Sequence, residues 1–423
     1  MLPSPEERRR LRQEKAAQRQ AQQAKTRKLY LRLSAAAVVL IGCGILIFSL
    51  SRKTPDTPSV ESTPSQSTPT QEETTGQDAP ATTVIHYAAA GDLNINDATV
   101  AAGGASYLYT GTFQDVAHLL SGADIASVNF EGNLCGAPYG DTFSAPQSML
   151  EALKKAGVDL VQMANSFSIN RGVSGLTSSI DAVRSAGMEP LGVYATNQEF
   201  KEAKGYTIRN VQGVKMAFVA FTKGMDGMAL PPGSENCVNV LYEDYDSVYQ
   251  KVNTTKITSI LSSVAKEKPD IVIALLHWGS EFNNTISSTQ KEIVSLLQNN
   301  GVDAIIGTHS HYVQQMTYNE ETGQFVAYSL GDFFSNAQRA GSEYSVVLNL
   351  EITKDNKSGK AKITGYSYTP IFTVHEEDTP LRVVRINEAV KAYESNFLQK
   401  VSGETYQKML YALQRIEARV AGE

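Results

Sequence analysis

The chain has 423 residues, room for two or three average domains or for one large α/β domain with attachments. Its 44 Asp and Glu outnumber 38 Lys and Arg, a formal net charge of −6 that excludes a basic, nucleic-acid-binding protein. The charge is unevenly spread, which favours one large domain with attachments.

Residues 1–32 hold ten Lys or Arg against Glu6, Glu7 and Glu14, a net +7; since the whole chain carries −6, the other 391 residues carry −13. Next comes LSAAAVVLIGCGILIFSL, Leu33 to Leu50, eighteen residues without a charge. At about 1.5 Å per residue such a helix spans roughly 27 Å, close to a hydrocarbon core. It reads as a transmembrane helix rather than a cleaved signal peptide, because the basic region is long and FSLSRKTP offers no small-x-small cleavage site. The basic excess ahead of it places a cytoplasmic tail at 1–32 and the rest of the chain outside, as a single-pass protein of the cell membrane. Residues 51–82 are rich in Ser, Thr, Pro and Gln and poor in large apolar side chains, so they are expected to form a disordered tether reaching about 30 Å.

From Thr83 onward strand-length apolar runs alternate with amphipathic stretches. In order these are strand VIHYAAAGD (84–92), strand ADIASVNFE (123–131), helix PQSMLEALKKAG (146–157), strand VDLVQMAN (158–165), helix LTSSIDAVRSAG (176–187) and strand MEPLGVYA (188–195). Then follow strand VKMAFVAFT (214–222), helix TKITSILSSVAKEKP (255–269), strand DIVIALLHWG (270–279), helix TQKEIVSLLQNNG (289–301), strand VDAIIGTHS (302–310) and strand QFVAYSLGD (324–332). Each helix has apolar positions three and four apart, and three end at Gly. The pattern predicts an α/β domain over 83–375 with much parallel sheet. EYSVVLNLEIT and KAKITGYSYTPIFTV alternate apolar with polar and should add antiparallel strands; 376–423 should form a helical extension, with one or two helices over 386–420. Of three cysteines, Cys43 falls in the apolar span, while Cys135 and Cys237 would form either one disulfide or two buried thiols.

Ligands of open α/β sheets collect at the carboxyl ends of strands. Those ends deliver Asp92, then Asn129 and Glu131, then Asn165, then His277, and finally His309 and His311. Imidazole mixed with carboxylate suits Mn, Fe or Zn better than Mg or Ca. The other imidazoles, His86, His118 and His375, lie away from these ends. DLNIND from Asp92 begins like a calcium loop, but Asp97 and Gly103 occupy its Gly and Glu positions, so that reading is rejected.

AAGDLNI, SVNFEGNL, MANSFSINRGVSGL, LLHWGSEF, IIGTHSHYVQ and AYSLGDFF, in this order, resemble the CapA or PgsA family of poly-γ-glutamate capsule biosynthesis proteins, a branch of the calcineurin-like metallophosphatases. The resemblance spans roughly 84–340. It implies a four-layer αββα sandwich and two divalent metal ions, held by Asp92, Glu131, Asn165, His277, His309 and His311, with Glu131 bridging. Asn94, Arg171, Trp278, Glu281 and Asp332 would lie around the ligands or toward substrate. The family motif Ala-Asn-Asn-His is here Ala164-Asn165-Ser166-Phe167, with Asn170 in place of a following Asp. Phe167 cannot act as an acid, so hydrolysis is expected to be weakened or lost. Asp332 replaces an Asn of the family and adds negative charge near the mouth. The implied function is synthesis or export of an anionic surface polymer, poly-γ-glutamate, alongside other membrane subunits of a synthase or export complex. The alternative is an active metal-dependent phosphoesterase of the cell envelope.

Overall fold

The computed structural model describes residues 81–423 apart from 338, 378 and 397–400. The basic tail, the apolar span and the tether as far as Pro80 lie outside the described residues. Among the described residues no helix is long and apolar enough to cross a membrane.

The strands in chain order are β1 (Thr82–Asn94), β2 (Ile125–Glu131), β3 (Leu160–Gln162), β4 (Glu189–Leu191), β5 (Thr207–Val211), β6 (Val214–Thr222) and β7 (Ile271–His277). They continue as β8 (Ala304–Thr308), β9 (Met316–Asn319), β10 (Gln324–Ala327), β11 (Asp332–Phe334), β12 (Tyr344–Asp355), β13 (Ala361–Val374) and β14 (Arg382–Arg385). The larger helices are α1 (Ser148–Ala156), α2 (Gly172–Ser185), α3 (Asn197–Ala203), α4 (Thr254–Lys266), α5 (Ser288–Asn299), α6 (Ile386–Glu394) and α7 (Gly403–Ala421). One sheet runs β14-β13-β12-β1-β2-β3-β4, with β11 also paired to β1; the other runs β5-β6-β7-β8-β10-β9.

The two sheets share an apolar layer and carry helices on their outer faces, which gives the expected αββα order. In β7 the unbroken run IVIALL hides a period of two. Ile271, Ile273 and Leu275 point into the layer between the sheets, meeting Ile85 and Tyr87 of β1, whereas Val272, Ala274 and Leu276 face Ile257 and Leu261 of α4 and Ile293 of α5. Both faces are covered, so no polar alternation appears. On the opposite side Leu150 and Leu153 of α1 and Leu176 and Ile180 of α2 cover the first sheet. The C-terminal segment belongs to the same body: β14 extends the first sheet, and Met409, Ala412, Ile416 and Val420 of α7 join the layer between the sheets.

Four parallel strands are led by an aspartate that latches its neighbour. Asp124, Asp159, Asp270 and Asp303 accept the backbone N–H of His86, Ala126, Lys215 and Val272 at 2.7, 3.1, 2.7 and 2.8 Å. The side chain thereby satisfies a donor that the staggered sheet edge leaves free. Burial raises the Asp303 carboxyl to about 6. The folded chain then binds this proton more tightly than the unfolded one, so the carboxyl favours folding below the ordinary carboxylate range and the gain is lost as pH rises through about 6. Asp303→Asn should therefore match wild type at pH 4 and exceed it at pH 8 by about 1–2 kcal/mol in urea unfolding. An unchanged pH profile would count against this.

Two sequence expectations change. Residues 376–423 are not wholly helical, since β14 falls within them. QFVAYSLGD is not one strand, because β10 lies in the second sheet and β11 in the first. The chain crosses between sheets at Tyr328–Gly331, where Gly331 has φ +80. Asp92 N–H donates to the Gly331 carbonyl at 3.0 Å, and a Cβ at Gly91 would lie 1.8 Å from that oxygen, so the glycine of AAAGD makes room for the crossing. Asp332 is thus set beside Asp92 in register.

Candidate metal centre

The carboxyl ends of β1, β2, β7 and β8 and the start of β11 converge on buried polar side chains. Asp92, Glu131, His277, His309 and Asp332 are each no more than 4% exposed. Ligand atoms of Asp92, Glu131 and His277 all lie within 4.8 Å of one another, as do those of Asp92, His311 and Asp332. Asp92 is common to both groups, whereas the resemblance implied that Glu131 bridges.

Asn129 stands inside the first group. Its Nδ2 lies 2.6 Å from Asp92 Oδ1, 3.1 Å from Glu131 Oε1 and 3.3 Å from His277 Nδ1. His277 Nδ1 also lies 3.3 Å from Glu131 Oε1, so two carboxylates share one amide donor and one imidazole, and the group is short of positive charge. Burial, and then the charge of Asp332, raises Asp92 to about 6. Burial and the charges of Asp92 and Asp332 hold Glu131 well above the usual carboxylate range. Burial likewise pushes His277 and His309 well below theirs, helped by neighbouring cations that include Lys223. Neutral imidazoles beside carboxylates that resist ionisation form a donor set that a divalent cation would satisfy, so the residues present fit a metal.

The second group is already partly balanced. His311 Nδ1 lies 2.7 Å from Asp332 Oδ1. Burial opposes its protonation, but the charge and hydrogen bond of Asp332, with the charges of Asp92 and Glu281, outweigh it and raise the imidazole to about 9. The two histidines flank Ser310 with φ +88 and +60, an unfavourable backbone for non-glycine residues, and His309 N–H donates to Asp92 Oδ2 at 2.9 Å.

One expected ligand, His309, joins neither of these groups of carboxylates and imidazoles, and a second, the amide Asn165, stands beside them. Asn165 Nδ2 donates to Asn129 Oδ1 at 3.1 Å and to the Phe130 carbonyl at 2.7 Å, while its Oδ1 accepts the Phe167 N–H at 3.0 Å. Its side chain thus holds Asn129, and its Oδ1 keeps a second lone pair. His309 Nε2 lies 3.1 Å from Lys223 Nζ, a residue the sequence reading passed over because lysine is not a ligand type. Lys223 also donates to the Gly279 carbonyl at 2.9 Å and lies 4.8 Å over the Tyr249 ring. An ammonium fixed there repels an incoming cation. Lys223→Met should tighten Mn²⁺ binding by at least about tenfold, measured by competition with a chelating dye; unchanged affinity would refute the repulsion.

The remaining candidates are dispersed. Trp278 is 1% exposed, donates to the Tyr328 carbonyl at 2.9 Å and stacks on that ring, so it is core rather than wall. Arg171 is exposed at the N-cap of α2, and Glu281 is exposed and acts on His311 through charge. Asn94 borders a small recess with His311, Asp332 and Phe282. The Phe167 ring meets Phe143, with centroids 4.8 Å apart, and Ser166 Oγ lies 3.2 Å from His277 Nε2. Cys135 and Cys237 are free thiols.

A family model described as bacterial capsule synthesis protein PGA_cap matches residues 86–337. Capsule biosynthesis protein CapA of Bacillus anthracis is 27% identical over 233 residues, covering 52% of this chain and 53% of that protein, so the chain spans about half that relative's length. PGA biosynthesis protein CapA of Bacillus subtilis (strain 168) is 26% identical over 308 residues, covering 68% of this chain and 73% of the relative. Among solved structures, the calcineurin-like phosphoesterase YfkN of Bacillus subtilis overlaps 79% of this chain and 99% of its own at 14% identity and a TM-score of 0.43. A phosphatase of Mycoplasma pneumoniae overlaps 69% and 94% at 14% identity and 0.42, and at such scores nothing further follows from either. With the family model matched over more than half its length, this chain belongs to the bacterial capsule synthesis proteins of the PGA_cap family.

Proposed function

We propose that the protein is a membrane-tethered, extracytoplasmic member of this family, acting in the synthesis or export of poly-γ-glutamate with other membrane subunits. Its buried centre, with a metallophosphatase-like arrangement of donors, holds the anionic polymer or a partner more than it cleaves a bond. The observation that supports this is a pairing: a buried donor set in need of a cation, beside Phe167 where the family places a histidine. Asp92, Glu131, His277, His311 and Asp332 are the residues that would hold divalent ions. When bound, such ions supply positive charge and Lewis acidity toward an anionic group. Phe167, packed on Phe143, has no proton to give or take.

Adding Mn²⁺ should raise the melting temperature of the full chain, and chelation should reverse the rise, since an ion that binds only the folded state stabilises it by about 2.7 kcal/mol at 100 times its Kd. Hydrolysis of a generic aryl phosphodiester with Mn²⁺ separates the two readings. Turnover that His277→Ala abolishes would favour an active phosphoesterase, the reading to which the retained carboxylates and imidazoles lend support. Deletion of the gene should stop polymer production; unaffected production would sink the capsule role.

A further inference from the structure

On its His311 side the centre borders a recess lined by Asn94, Asp332, Ser335 and Asn336. Ser335 and Asn336 also line a larger cavity of about 340 Å³, within the size range of small-ligand sites. This cavity lies between the segment after β11, the end of β13 and the start of α7. Its wall carries Arg339, Lys408 and His375 against one carboxylate, Glu343. Ser335 and Thr373 also line it, are 3% and 6% exposed, and among the described residues neither hydroxyl has a hydrogen-bond partner. Buried hydroxyls are seldom left unpaired, and two on one cavity wall suit a polar ligand.

We propose that this cavity is a subsite for a carboxylate-bearing chain beside the metal centre, with Arg339 and Lys408 taking a carboxylate and the Ser335 and Thr373 hydroxyls bonding the same ligand. It rests on the reading that the protein handles an acidic polymer. Lys408 is shared with Glu404, whereas among the described residues Arg339 has no ion-pair partner, so the wall offers one unshared positive charge, which matches a carboxylate; Glu343 would repel a phosphate dianion. The Arg339 guanidinium lies 4.5 Å over the Phe282 ring, and that ring stacks on His311 with centroids 4.9 Å apart. Arg339 is therefore held ready, and its support is continuous with the centre. Lys408 Nζ is 2.7 Å from the exposed Glu404, which keeps it on the helix with two of its three protons free to donate.

Calorimetric titration of the full chain with tetra-γ-glutamate, in EDTA to remove metal, tests the subsite against neutral tetra-γ-glutamine. Arg339→Ala and Lys408→Ala should each weaken tetra-γ-glutamate binding about tenfold. Thr373→Val should weaken it as well while leaving the melting temperature unchanged or higher, because it removes an unpaired hydroxyl. Glu343→Gln should tighten binding, a direction that a damaged fold does not produce. No binding to wild type, equal binding of tetra-γ-glutamine, or full affinity in the Arg339→Ala Lys408→Ala double variant would overturn the subsite. These outcomes are separable from the polymer role. If deletion leaves polymer production intact while the shifts occur, that role falls and the subsite stands; if deletion stops production while the variants bind like wild type, the subsite alone falls.

Discussion

Asp92→Asn should take up no Mn²⁺ at concentrations that load the wild type, a loss of more than about 100-fold in affinity. The reason is position: Asp92 is common to both donor groups, so one substitution disables both. The same change should make the metal-free protein more stable at pH 8. Burial and the charge of Asp332 raise this carboxyl to about 6. The folded state therefore holds the proton more tightly than the unfolded chain does, and the ionised form opposes folding once the pH exceeds about 6. Removing the charge should return about 1–3 kcal/mol, reduced by whatever the bonds from Asn129 and the His309 N–H lose. Metal analysis after dialysis and urea unfolding in EDTA check both halves. A variant that still loads metal, or that is less stable at pH 8 without it, would contradict the account.

The second large effect runs the other way. Phe167→His with Asn170→Asp should raise Mn²⁺-dependent hydrolysis of an aryl phosphodiester by about 10² to 10⁴, the usual contribution of a positioned acid or base. Position 167 directly follows Ser166, whose hydroxyl reaches His277 at 3.2 Å, so a histidine there starts one residue from the centre. The Phe167 ring packs on Phe143, and the histidine must give up part of that contact, which sets the lower figure. A metal-loaded double variant with no gain would show that Phe167 is not what limits hydrolysis.

Much of this was readable in the sequence because strand ends are where a parallel sheet delivers side chains. Asp92, Glu131, His277 and His311 follow apolar runs directly, and runs covered on both faces are easy to see. What escaped depends on contacts between distant segments. The crossing at Tyr328–Gly331 reads as one apolar run, since its change of sheet is decided by a carbonyl lodged against Gly91. It is that crossing which turns Asp332 from a mouth residue into a member of the second group. Lys223 follows β6 without the chemistry of a ligand, and only the folded chain shows it against His309. Asn129 was visible at its strand end, yet its place among Asp92, Glu131 and His277 comes from the convergence of two sheets.

The last helix carries a consequence for biosynthesis. Met409, Ala412, Ile416 and Val420 of α7 fill the interior that the sheets began to form some three hundred residues earlier, at Ile85. Until α7 has been made, that apolar surface lacks its cover, and the nascent segment from Ile85 onward is exposed to misassembly over that stretch of synthesis. Termination after Tyr411 would leave every residue of the metal centre and take Ala412, Ile416 and Val420 from the interior. Fusions are best joined beyond Gly422, where the helix has ended and the interior is sealed.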